Sequence, residues 1–236
     1  MKLRPRVVLQ LAAFFLALGA SALAASNGYL YVVQGIPGRD ISDTLNPGLP
    51  VDILVNGECP IHGLTFDNTS GPLSLAAGTY NVQISEANSL APCTNAALVD
   101  ASVTLNAGEN ISVVAAISSG QPALEQFTDN LSAVAPGNAR FVFANSADAP
   151  ALQATLTQLF VKTPKTFTLT AKPNAQSAIT VPAGTYELQV VASGSTTALA
   201  SEQITLADQS ATFTYAAGQA ANNSVALINR EIRDVF

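Results

Sequence analysis

The chain has 236 residues, no Trp, a single His and two Cys, with 10 Lys+Arg against 16 Asp+Glu and a net charge of −6. That acidic balance, with no Lys/Arg cluster beyond the first few residues, argues against nucleic acid and anionic lipid as partners, because both call for a basic surface. Hydrophobic residues make up 48% of the chain, ample for a core, and they are mostly small or β-branched, which suits sheets packed face to face.

In chain order, Lys2, Arg4 and Arg6 precede an uncharged apolar stretch, Val7–Ala20, and then Ser21-Ala22-Leu23-Ala24. A basic start, a short apolar run and small residues at Ala22 and Ala24 predict a signal peptide over residues 1–24. The apolar run is shorter than the roughly 20 residues that cross a bilayer. The mature chain is therefore expected to be exported, periplasmic or extracellular, with no membrane span. Losing three basic residues with the leader takes its net charge from −6 to −9.

Short runs alternating apolar and polar residues follow, the period-two signature of half-buried strands. In the first half they are YLYVVQ (29–34), VDILVN (51–56), LTF (64–66), LSL (73–75), YNVQIS (80–85), ALVDASVTL (97–105), NISVVAAI (110–117) and ALEQF (123–127). The second half repeats the order. ARFVFANSADAP (139–150) resembles GYLYVVQGIPG (28–38), and AGTY at Ala77–Tyr80 recurs at Ala183–Tyr186. ITLADQSATFTYAA (204–217) parallels VTLNAGENISVVAA (103–116), and VALINREI (225–232) parallels ALEQFTDN (123–130). SAVAPGNA (132–139), with Pro136 and Gly137, reads as a short linker. The prediction is all-β: two tandem immunoglobulin-like (Greek-key) β-sandwich domains, 25–134 and 135–236, after the leader. In each AGTY element the glycine, Gly78 or Gly184, is expected in a turn that a Cβ would penalise. The tyrosine, Tyr80 or Tyr186, opens a strand, with its hydroxyl expected to bond back to nearby backbone as in a tyrosine corner.

The order of these elements resembles the secreted bacterial domain of unknown function 4397 family. Pro50–Gly57 (PVDILVNG) and Ala107-Gly108 carry the resemblance in the first half, and Ser146-Ala147-Asp148-Ala149-Pro150 in the second. The second half departs from it with LQATLTQLFV (152–161) and with Ala207-Asp208-Gln209 at the later turn. The resemblance implies two tandem copies, a sandwich fold and secretion, and assigns no chemistry.

No sequence constellation points to catalysis. His62, in CPIHGLTF, is the lone histidine, with no GxSxG elbow, HExxH or CxxC beside it. A structural or surface role is expected for it, with no catalytic, metal or cofactor site. Cys59 and Cys93 form an even pair in an exported chain, which predicts a disulfide. The expected function is non-catalytic binding, adhesion or a structural role at the envelope or outside the cell, through the loops Gly35–Leu49 and Asn88–Asn95. Its partner would be an envelope or extracellular protein or a glycan. A carbohydrate-active accessory module or carbohydrate-binding protein is the alternative, and a homo-oligomer is a further possibility.

Overall fold

Eight strands, then eight more in the same arrangement, account for nearly every alternating run of the sequence in the computed structural model, which describes residues 26–235. The leader expected over 1–24 lies outside them. The first set is β1 (Asn27–Gln34), β2 (Val51–Val55), β3 (Glu58–Leu64), β4 (Asn68–Ala76), β5 (Gly78–Glu86), β6 (Ala97–Leu105), β7 (Asn110–Ser118) and β8 (Gln121–Thr128). The second is β9 (Asn138–Asn145), β10 (Leu152–Gln158), β11 (Thr166–Ala171), β12 (Ala175–Pro182), β13 (Gly184–Ala192), β14 (Ala198–Leu206), β15 (Ala211–Ala217) and β16 (Ala226–Ile232). One four-residue helix, α1 (Gly38–Ile41), interrupts the loop after β1.

Sheet β4-β1-β7-β8 faces sheet β3-β2-β5-β6, and β12-β9-β15-β16 faces β11-β10-β13-β14 in the same order. The pairs β1–β7 and β9–β15 are parallel, and the other neighbours are antiparallel. These are the two β-sandwiches that the strand pattern predicts. One strand differs from the reading: the edge strand is ECPIHGL (β3), and LTF supplies only its last residue. Pro60 and Gly63 obscured it, and both are tolerated because β3 bonds to β2 alone.

Each sandwich has a core of its own, the first around Val32, Ile53, Ile84 and Ile111, the second around Phe141, Leu156, Tyr186 and Leu188. A third apolar layer lies between the sandwiches. Val33, Val114, Ala116 and Phe127 of the first meet Val142, Ala144, Phe213 and Tyr215 of the second. The two inner sheets are thus covered on both faces. This explains why β15 is buried along its whole length and β7 along all but its two ends, as in strands covered on both sides.

The segment read as a linker joins this layer. Val134 is buried in it, and its N–H donates to the carbonyl of Val235. Gly35 sits at the seam, where a Cβ would lie 2.7 Å from the Ala115 carbonyl oxygen and 2.8 Å from Ala217 Cβ. At the centre, Arg230 of β16 donates through Nη2 to Asp129 Oδ2 (2.6 Å) and Ser112 Oγ (2.9 Å), both in the first sandwich. Tyr215 donates to the same Ser112 oxygen. The guanidinium lies 3.9 Å from the Tyr31 ring centroid and 4.5 Å from that of Phe213.

Candidate functional site

The AGTY elements are the natural first place to look, and they serve the fold. Tyr80 Oη donates to the Ala76 carbonyl and Tyr186 Oη to the Pro182 carbonyl, each at 2.6 Å. Gly184 has φ +153°, a conformation that favours glycine, whereas Gly78 has a negative φ. A positive φ that a Cβ would penalise thus occurs at Gly184 and not at Gly78. Both glycines already sit in their strand ladders, Gly78 opposite Leu105 and Gly184 opposite Leu206, so the difference between them lies in the backbone dihedral alone.

The loop Gly35–Leu49, expected to be a free recognition tip, is tied down. Ile36 and Leu49 are buried in the first core, and the Gln34 amide donates to the Leu49 carbonyl. Asp40 accepts hydrogen bonds from Asn222 and Ser224 of the second sandwich. The physical reason is apolar anchoring at each end of the loop with a polar clamp between them.

The other expected loop builds a recess. Asp52 alternates with the core residues Val51 and Ile53, so its side chain emerges on the outer face of β2. It is nonetheless only 1% exposed, because the segment after β5 folds back over it. Asp52 Oδ1 accepts the Gly63 N–H (2.9 Å), and Oδ2 accepts those of Asn88 (3.0 Å) and Cys93 (2.8 Å). Burial pushes this carboxyl up, but the three backbone donors and nearby His62 outweigh that and hold it below the usual carboxylate range. The predicted Cys59–Cys93 disulfide is present and fastens the same segment to β3. Within the loop, Asn88 Oδ1 accepts from the N–H groups of Leu90 and Ala91, while Thr94 Oγ1 donates to the Ala91 carbonyl.

The result is a cleft of about 520 Å³ lined by Pro50, Gly63, Ala87 and Pro92 together with the polar Asp52, His62, Asn88 and Ser89. His62 is exposed there. Asp52 went unnoticed in the sequence because an acid at an outward strand position is the commonest of surface residues. Only the returning loop makes it special, and nothing local in VDILVN announces that. Among the described residues no group of three or more His, Cys, Asp or Glu could hold a metal. No helix among them is long and apolar enough to cross a membrane.

Fold and cleft together define an all-β protein of two fused sandwiches with a loop-built recess on one of them. Within that class the chain belongs to the family described as Domain of unknown function (DUF4397), whose profile matches residues 29–155, more than half of the chain. The match runs from β1 into β10. Comparison with curated proteins finds no match. Among solved structures, a candidate cell-adhesion protein of Bacteroides ovatus aligns at 8% identity and TM-score 0.30, over 89% of this chain and 98% of its own. The Bacillus anthracis TIE protein aligns at 9% identity and TM-score 0.24, over 82% of this chain and 32% of its own. A candidate adhesin of Bacteroides ovatus aligns at 12% identity and TM-score 0.19, over 75% of each chain.

Proposed function

We propose that this is an exported, non-catalytic binding protein that recognises a protein or glycan at the cell envelope or outside the cell through the cleft above Asp52. It consists of two copies of one sandwich module, 25–134 and 135–236, behind a cleaved leader at 1–24. Repetition of the strand order supports the two copies.

The observation that carries the binding reading is the engagement of Asp52. Both its oxygens are occupied by backbone donors, so the carboxylate braces the loop and is not free to act as a base or nucleophile. What it braces is a largely apolar recess with a few polar groups in its lining, the usual chemistry of a recognition site. The second sandwich has Gln153 in β10 and a short Ser193–Thr197 connection in the corresponding places, so the recess is built once.

Purified mature protein should be tested on a glycan array and against separated envelope proteins, beside a Ser89→Trp variant that fills the cleft. Binding of one ligand class that falls at least about tenfold in the variant, with folding unchanged, is the expected result. Turnover of any bound glycan, or binding indifferent to Ser89→Trp, would refute the reading.

A further inference from the structure

The two sandwiches differ at a second place, and the difference is complementary. In the second sandwich Phe167 of β11 stands opposite Leu156 and packs edge-on against Tyr186, which is fully buried. In the first, the residue opposite the corresponding Val55 is Glu58, which is exposed, and Tyr80 is only partly buried. The space Phe167 fills in one sandwich is left open in the other. It forms a cleft of about 290 Å³ lined by Val55, Pro60, Leu73, Leu75 and Tyr80, with Asn56 and Glu58 as its polar lining. A cavity of roughly 150 Å³ already holds a benzene ring.

The second sandwich carries an aromatic ring with no partner. β2 and β3 are joined by Asn56-Gly57 alone, whereas β10 and β11 are joined by the longer LFVKTPK (159–165). Phe160 on that tip is 86% exposed and held at φ +60°, and Val161 beside it is 45% exposed. Lys162 and Lys165 follow them, in a chain otherwise rich in acid.

We propose that the open cleft of the first sandwich receives Phe160 from a second copy of this chain, the ring taking the place that Phe167 takes internally. Charge supports this occupant: Lys162 and Lys165, close to Phe160 in sequence, are opposite in sign to Glu58 in the cleft lining. The contact joins two different surfaces of the molecule, so it is a heterologous interface.

Light scattering on the mature full-length protein over a range of concentrations tests this. The wild type is expected to gain mass with concentration. Phe160→Ser should weaken association by at least about tenfold. Glu58→Phe, which fills the cleft from within as the second sandwich does, should also abolish it while raising the melting temperature. Mixing the two variants should restore association, because one keeps its cleft and the other its tip. A wild type that stays monomeric at every concentration overturns the proposal, as does association that survives Phe160→Ser. Phe160-dependent binding of a monomer to phosphatidylglycerol vesicles overturns it too, and assigns the tip to a membrane.

Discussion

Arg230 Nη2 lies 2.6 Å from Asp129 Oδ2, and neither side chain is more than 7% exposed. The pair joins the last strand of the second sandwich to the end of the first, at the centre of an apolar layer. Ser112 and Tyr215 complete the polar cluster. Removing one partner of a buried pair leaves a charge with no compensation, which costs about 3–5 kcal/mol.

Arg230→Ala should therefore destabilise the protein by about that amount and lower its melting temperature by roughly 10 °C. The double variant Arg230→Met, Asp129→Leu should recover most of the loss, since an apolar pair of similar volume suits the surrounding layer. Because that layer is continuous with both inner sheets, calorimetry of the wild type should give one cooperative transition and not two. Two separate transitions, or a cost for Arg230→Ala below about 1 kcal/mol, would contradict the seam described here.

Glu125 gives the seam a pH dependence. It lies on β8, and burial pushes its carboxyl up to about 7, with neighbouring Ser146 pulling the other way. A carboxyl whose folded pKa exceeds its unfolded value, about 4.3, favours the folded state most when it is protonated. Stability from this group is complete below about pH 4.3, declines as pH rises to about 7 and is flat beyond, a loss of about 2 kcal/mol after allowance for screening. Glu125→Gln should thus be more stable than the wild type at about pH 8 and equal to it at about pH 4, by urea denaturation. Equal stabilities at both pH values would show that the carboxyl is not perturbed.

Much of the fold is legible in the sequence, and what is hidden has specific causes. The repeated AGTY elements and the order of the runs around them identify two sandwiches, because strand periodicity and turn residues are local signals. NISVVAAI and ATFTYAA are buried almost throughout because their sheets are covered on both faces, yet Thr212 and Thr214 alternate with apolar residues as in a half-buried strand. Read run by run, they look like ordinary strands. The seam itself depends on Arg230 in INREI and Asp129 in FTDN, charges that read as solvated in sequence and meet only through tertiary packing. The disulfide is legible from the even cysteine count together with the leader-like start of the sequence. Its partner in bracing the loop, Asp52, is not, because its three donors come from Gly63, Asn88 and Cys93, distant in sequence.

Asp52 and the disulfide hold one loop from two sides, and their contributions should be coupled. Asp52→Ala leaves three backbone N–H groups without their acceptor, at a cost of about 2–4 kcal/mol. Cys59→Ser with Cys93→Ser removes a cross-link whose entropic contribution is roughly 3–4 kcal/mol for a sequence separation of 34 residues. Once either is lost the loop is freer to leave the sheet, so the combined variant should cost less than the sum of the two. Acid should mimic Asp52→Ala in part. The folded carboxyl titrates below its unfolded value, so its contribution is present above about pH 4 and is lost as pH falls through the lower, folded pKa. Hydrogen exchange at Asn88 and Cys93 checks both statements: these amides should be protected at neutral pH, exposed in Asp52→Ala, and progressively exposed in the wild type as acid is added. Additive stability losses, or amides that remain protected without Asp52, would mean that the disulfide alone fixes the loop.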